Sequence, residues 1–330
     1  MMPLGAANFG RREFRILVVD DDAANRELTD AMLNHQHYAV ATAASAAEAR
    51  AQIAAAPPDL ILLDVIMPQT NGIELCRELK EDPATRLIPV ILVTGLTDRE
   101  SKLLGIQAGA DDFLNKPADP QELFARVQSL LKLKQFTDEL ENAETVLFSL
   151  ALGVEARDPY TEGHCQRLSD AAAALGITLG LDREDIVALR RGGVLHDIGK
   201  ITVPDNILRK PGPLDAAELQ IMRRHPETGE VICRPLRTLQ RVLPIIRHHH
   251  EHWNGGGYPD HLAGEQIPLL ARVLQVADAY DALTTERPYK PAWPHEKAKA
   301  VLLEEAAHQW WDTAILDTFL HQVESQRKHN

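Results

Sequence analysis

Residues of the types that hold metal ions are concentrated in the second half of this 330-residue sequence: His164, His196, Asp197, His225, His249, His250 and Asp278. They centre on Leu195-His196-Asp197-Ile198-Gly199-Lys200, a stretch too polar for the middle of a helical core unless it holds something charged. Taken singly, a His in a helical protein is ordinarily a core or surface residue, and an Asp near a helix start is ordinarily a cap. Here nearly all the His residues lie in one half of the chain, several in apolar helical context with Asp companions. Mixed imidazole and carboxylate ligands without Cys favour Fe or Mn, with Zn behind them, over Mg alone or a thiolate site. About seven ligands with open positions for water suit two ions ~3.5–4 Å apart, which activate water and stabilise both oxygens of an in-line phosphoryl displacement. The chemistry expected is phosphodiester hydrolysis.

A second constellation is acidic. Apolar runs of strand length at 15–19, 38–42, 60–63, 89–93 and 112–114 alternate with helical patterns at 23–35, 45–55, 70–80, 97–107 and 120–133. That alternation predicts an α/β, doubly wound (βα)5 unit with a parallel sheet covered on both faces. In such sheets ligands sit at the carboxyl ends of strands, which here carry Asp20, Asp21, Asp64, Thr94 and Lys116. Three converging carboxylates repel unless a divalent cation joins them, and oxygen-only ligands suit Mg²⁺. Asp64 is then the nucleophile that becomes an aspartyl phosphate. Asp20 and Asp21 hold the ion, and Lys116 and Thr94 meet the phosphoryl oxygens. A solvated acidic loop cluster is the plain alternative.

After residue 145 the apolar period is helical at 163–180, 182–195, 215–223, 237–248, 269–284, 295–306 and 313–323, so this half should be an all-α unit with no convincing strand. Asp182 with Asp185, and Asp215 with Glu218, read as helix starts. Gly192 and Gly193, one turn before His196, leave room for a close neighbour. Gly255, Gly256 and Gly257 before Tyr258-Pro259 free the backbone to bend close to a ligand, Tyr258 offers a ring face and a hydroxyl, and Arg287 and Lys290 can pair with phosphate oxygens, Arg bidentately. A tight surface turn and a solvated face are the plain alternatives for these two segments. Between the halves, Leu133, Phe136, Leu140, Ala143, Leu147, Leu150 and Val154 follow alternating steps of three and four. This a/d seam is either a dimeric coiled coil that passes a signal on or a face docked on its own domain, with Glu139, Glu141 and Glu144 exposed in either case.

Composition bounds the answer. A net charge of −13 argues against an extended nucleic-acid interface. Cys76, Cys165 and Cys233 are odd in number, widely spaced and without a CxxC pair, which fits a reducing, cytoplasmic setting without disulfides or a zinc knuckle. No run is long and apolar enough for a membrane span, and residues 1–12 are expected to be a disordered tail.

Two resemblances follow from these motifs. VVDDD at 18–22, LLDVIMPQTNG at 62–72, VTG at 93–95 and GADDFLNKP at 109–117 resemble a response-regulator receiver domain. That resemblance implies phosphorylation of Asp64 by a sensor histidine kinase, and a switch through Thr94 and an aromatic residue. The aromatic position is Phe113, which excludes a hydroxyl there. RDPYTEGHCQR at 157–167, VLHDIGK at 194–200, HP at 225–226, HHEHWNGGGYP at 249–259 and VADAYDALTTERPYK at 276–290 are similar to the HD-GYP domain. The similarity implies hydrolysis of cyclic di-GMP to pGpG and, in some members, to GMP. Carried over, His164, His196, Asp197 and Asp278 resemble the surroundings of one metal, with Asp197 as the bridge, and His225, His249 and His250 those of the other. Lys200 resembles the lysine at the scissile phosphate. Tyr160 stands four residues before His164 where trimetal members carry Glu, so two metals are expected rather than three. His252 occupies a position often filled by Arg, and QWWD at 309–312 replaces a His-Phe-Asp pattern, a change expected to alter packing only.

The expected organisation is a receiver at 13–134, a helical coiled-coil connector at 135–152 and an HD-GYP phosphodiesterase at 153–330, forming a homodimer. A scaffold that binds diguanylate-cyclase domain proteins or motility partners with little hydrolysis is the competing reading. A general HD nucleotide phosphohydrolase is a third, against which the GYP motif argues.

Overall fold

The computed structural model describes residues 13–68, 70–95, 99–157, 163–286 and 291–329, and its contacts divide the chain into two compact units, 1–142 and 143–330. In the first unit five strands, β1 (Arg15–Val19), β2 (Ala39–Ala43), β3 (Leu60–Asp64), β4 (Val90–Thr94) and β5 (Asp112–Asn115), form one parallel sheet in the order β2-β1-β3-β4-β5. Helices α1 (Ala23–His35), α2 (Ala46–Ala55), α3 (Gly72–Glu81), α4 (Arg99–Gln107) and α5 (Pro120–Arg157) alternate with them. The central strand β3 is buried throughout, which is why it reads as the unbroken apolar run Leu60-Ile61-Leu62-Leu63. Its alternate residues feed two separate cores: Ile61 and Leu63 pack with Ile73, Leu75 and Cys76. Leu60 and Leu62 pack on the other face with Leu123, Val127 and Leu131 of α5. The doubly wound fold expected from the alternation is thus the fold observed.

Short polar side chains fix where these helices begin. Asp22, Ser45 and Asn71 accept backbone N–H groups at the starts of α1, α2 and α3. In the second unit Asp182 caps α7 (Arg183–Leu195), and Asp215 with Glu218 forms a full capping box on α9 (Ala216–Met222), as the sequence predicts.

The second unit is helical. α6 (His164–Thr178), α7, α8 (Asp205–Leu208), α9, α10 (His225–Cys233), α11 (Leu243–His248), α12 (Leu269–Thr284), α13 (His295–Ala307) and α14 (Thr313–His329) surround a core that includes Leu168, Leu189, Leu195, Ile245, Ile246, Leu274 and Phe319. Among the described residues its β-structure is the isolated bridge between Asn254 and Ala263. The expected helix at 237–248 is instead a 3-10 turn, Arg237–Leu239, followed by α11. Pro244 lacks the N–H that a continuous helix would need from it.

The seam along α5 does not behave as one stripe. Leu147 packs against the helical core and Val154 is buried, whereas Leu133, Phe136, Leu140 and Leu150 are about half exposed. Glu144, expected in solvent, is instead drawn in by an ion pair with Arg191, 2.8 Å away, at 14% side-chain exposure.

Candidate metal centre

Helix α7 delivers His196 and Asp197 as it runs out into a 3-10 turn, Ile198–Thr202, that carries Lys200. Gly199 makes this junction feasible: a Cβ there would lie 1.9 Å from the His225 carbonyl oxygen, so only glycine lets the turn press against the start of α10. His225 and His164 open α10 and α6, His249 and His250 follow α11, and Asp278 lies within α12. Gly193 lies against α6, where an added Cβ would be 2.6 Å from the Ser169 backbone, the close approach expected of it.

These side chains converge in two adjoining sets. Asp197, His225, His249 and His250 present ligand atoms within 4.8 Å of one another, and so do His164, His196 and Asp278. Asp197 faces both: its Oδ1 is 3.1 Å from His225 Nε2 and 3.8 Å from His249 Nε2, and its Oδ2 is 3.3 Å from His196 Nε2. In each of three imidazoles Nδ1 points at a backbone carbonyl: His196 at Gly193 (3.1 Å), His225 at Met222 (2.8 Å) and His249 at Ile246 (2.8 Å). A carbonyl accepts only, so Nδ1 carries a proton in each ring, and whenever a ring is neutral its Nε2 offers a bare lone pair. His225 Nε2 and His249 Nε2 are 3.2 Å apart. Two lone pairs so placed repel unless a cation sits between them. Asp197 Oδ1 is buried without a hydrogen-bond partner among the described residues, an orphaned acceptor of the kind a metal satisfies. The donor set therefore fits a pair of divalent ions.

The electrostatics agree. Burial, reinforced by the neighbouring imidazoles, pushes His249 and His250 well below the ordinary His range, so both rings are neutral and able to ligate. Burial opposes ionisation of Asp197, but the Lys200 ammonium, 2.6 Å from Oδ2, and His196 hold its carboxyl well below the usual range.

Three residues to which the sequence assigns no role support this set. Asp281 accepts from His164 Nδ1 (2.7 Å) and takes Arg167 on both oxygens. It thereby fixes the tautomer that leaves His164 Nε2 free to face Asp278 at 3.4 Å. Its signal was the spacing Asp278-x-x-Asp281, one helical turn. Glu251, fully buried, accepts the N–H groups of Asp260 and Leu262, while Gln275 donates to the carbonyls of His248 and Glu251. A polar Gln within the apolar run of α12 was the available clue.

His248, Glu251 and Asp260 also converge. The Glu251 oxygens are already taken by two N–H groups and those of Asp260 by Arg247, so this cluster clamps a loop. The loop is the glycine segment. An added Cβ at Gly257 would lie 2.4 Å from Glu251 Cα. The side of Gly257 on which a side chain would stand is therefore filled by the chain's own backbone, which leaves only its main chain to meet a ligand. Tyr258 stacks on His250 with ring centroids 4.7 Å apart, so one face of its ring is already covered. His252 stacks on Trp310, and Trp311 enters the core. Arg287 and Lys290 lie outside the described residues, as does Tyr160.

In the first unit the strand ends bring Asp20, Asp21 and Asp64 together. Lys116 Nζ donates to Asp20 and Asp64, both at 2.7 Å. Burial raises the Asp64 pKa against the pull of Lys116. Thr94 is buried, and Phe113 is half-buried against the core that contains Leu92.

The model of the response regulator receiver domain matches residues 16–128, and that of the HD domain residues 152–315. Over 283 residues the chain is 38% identical to the cyclic di-GMP phosphodiesterase response regulator RpfG of Xanthomonas campestris pv. campestris, covering 79% of this chain and 75% of that protein. It is 35% identical to a probable cyclic di-GMP phosphodiesterase of Vibrio cholerae over 340 residues, covering 92% of this chain and 77% of that one. Over 170 residues, 51% of this chain and 33% of the relative, it is 39% identical to 3'3'-cGAMP-specific phosphodiesterase 2 of Vibrio cholerae. With a receiver, a metal-type His and Asp centre in an HD domain, and three quarters or more of the first two relatives covered, the chain belongs to the family of response regulators that join a receiver domain to an HD domain, of which RpfG is a member.

Proposed function

We propose that this chain is a phosphorylation-controlled phosphodiesterase that opens cyclic di-GMP to linear pGpG, with GMP requiring a second cleavage. The observation that carries the reading is the pair of ligand sets facing one carboxylate, Asp197. His164, His196 and Asp278 would hold one divalent ion, His225, His249 and His250 the other, and Asp197 both. The absence of Cys from these sets favours Fe or Mn. When bound, such ions supply Lewis acidity to a phosphoryl oxygen and acidify the attacking water. The protein's own contribution is placement. Lys200, anchored on Asp197 Oδ2, presents an ammonium to the scissile phosphate, and the carbonyl-locked imidazoles keep their Nε2 atoms aimed inward without reorganisation during the reaction. Tyr258, Gly257, Arg287 and Lys290 are assigned to substrate contact, Gly257 through its backbone.

In the receiver, Asp20, Asp21 and Asp64 would hold Mg²⁺, and Asp64 would take a phosphoryl group from a sensor histidine kinase. Lys116 and Thr94 would engage that group, and Thr94 with Phe113 would form the switch. Leu133, Phe136 and Leu140 would pair between two copies of the chain. The organisation proposed remains receiver 13–134, connector 135–152 and phosphodiesterase 153–330.

The test is anaerobically purified protein incubated with cyclic di-GMP and Mn²⁺ or Fe²⁺, with products separated by chromatography and bound metal counted in the same sample. About two metals per chain with pGpG appearing is expected. Full metal occupancy with intact cyclic di-GMP would overturn the reading. The identity to a 3'3'-cGAMP-specific enzyme favours a second substrate, cyclic GMP-AMP, which the same assay compares directly.

A further inference from the structure

Arg223 stands two residues before His225 at the end of α9, exposed to solvent. Its guanidinium lies over the Tyr258 ring, 5.2 Å from the centroid, and that ring stacks on the imidazole of His250. A guanidinium, a phenol ring and an imidazole thus run in series from solvent to the proposed metal ligands. None of the Arg223 N–H groups has an acceptor among the described residues. The chain is strongly acidic, with a net charge of −13, yet no carboxylate pairs with this cation among the described residues. An arginine pre-set on an aromatic face, with its fork unspent, is suited to a planar or bidentate anion.

Within the reading of the site as a cyclic dinucleotide phosphodiesterase, on which this inference rests, we infer that Arg223 binds the second, non-scissile phosphate of the substrate. The two phosphates of a cyclic dinucleotide are closed into one small ring, so seating one at the metal centre necessarily brings a second anion to its rim. Tyr258 then carries Arg223 on its ring and transmits the position of the GYP loop to the cation. Arg223 makes no contact with a reacting atom, so its contribution falls on KM rather than kcat.

The experiment compares full-length wild type, Arg223→Ala and Arg223→Lys, each with metal content and Tm measured, on cyclic di-GMP and on bis(p-nitrophenyl) phosphate, a diester with one phosphate and no second anion. Loss of a charge-assisted pair corresponds to about a 10–100-fold effect. The expected result is a fall of that size in the ratio of kcat/KM for cyclic di-GMP to that for the simple diester, carried by KM, with Arg223→Lys recovering only part of it. Equal loss on both substrates, or a parallel fall in bound metal or Tm, would make Arg223 a support of the loop and overturn the inference. An unchanged ratio would overturn it as well, while leaving the phosphodiesterase reading intact. A wild type that cleaves the simple diester and leaves cyclic di-GMP whole would instead remove the substrate reading and this inference with it.

Discussion

At the scale of single residues, the centre depends on where protons are. Three imidazoles surrender Nδ1–H to carbonyls of their own helical turns, and His164 surrenders its own to Asp281, so the lone pairs point inward before any ion arrives. Asp197 faces both sets, and Asp197→Ala should reduce turnover and bound metal by more than the ~10–100-fold typical of losing an outer partner of a ligand. The receiver should keep its fold; wild-type metal content with retained hydrolysis would defeat the assignment. Asp281→Asn removes such an outer partner and should lower metal affinity or activity about 10–100-fold. Its carboxyl is desolvated, but His164 and Arg167 pull its pKa from 3.8 to about 2. A depressed carboxylate pKa stabilises the folded state above its unfolded value, and that stability is lost as pH falls through the folded value. Urea unfolding of metal-free protein should therefore show Asp281→Asn less stable than wild type by about 2 kcal/mol at neutral pH. The gap should be full above about pH 4 and close as the pH falls toward 2. A gap that does not change with pH would separate the effect from ionisation.

At the scale of elements, close backbone contacts hold the ligand-bearing segments in register. Gly199 lets the turn after α7 touch the first residue of α10, so Gly199→Ala must push His225 away from Asp197. Overpacking of this kind costs about 1–3 kcal/mol, read as a lower urea midpoint, and bound metal should fall with it; a variant with wild-type midpoint and metal content would show that the junction tolerates separation. The seam on α5 does not act as one stripe for a simple reason: Leu147 has a core to pack against and Val154 is buried, while Leu133, Phe136 and Leu140 do not find a core among the described residues. An apolar row left in water is a natural helix-pairing surface. Replacing all three by Ser should shift the protein toward a monomer in light scattering, leaving the Leu147 and Val154 packing untouched. An unchanged mass would assign the row elsewhere.

At the scale of the whole molecule, the two proposed sites should act as separate chemistries on one chain. Asp64→Asn should abolish phosphoryl uptake from an acetyl phosphate or kinase donor and any change in hydrolysis that follows it, while metal-dependent basal turnover persists; loss of basal turnover would show that the sites are not separable. The ordered motifs, the alternation of strands and helices, and the cap pairs Asp182–Asp185 and Asp215–Glu218 were all legible in the sequence, because local backbone preference and side-chain periodicity are written in neighbouring residues. So was the set of candidate ligands, since His and Asp gathered in apolar helices are costly to bury without a partner such as a metal ion. Their partition into two sets, with Asp197 as the bridge, came from the resemblance to the HD-GYP domain and not from residue type or spacing; what the sequence did not give was the contacts around them. That Asp281 rather than a backbone carbonyl orients His164, that Glu144 turns inward to Arg191, and that the space beside Gly257 belongs to the chain itself depend on contacts between residues far apart in sequence. Spacing along a helix fixes the face on which a side chain lies; which neighbour meets that face is decided by how helices pack. The residue types determined which chemistry the chain could hold, and only the tertiary packing determined which atom meets which.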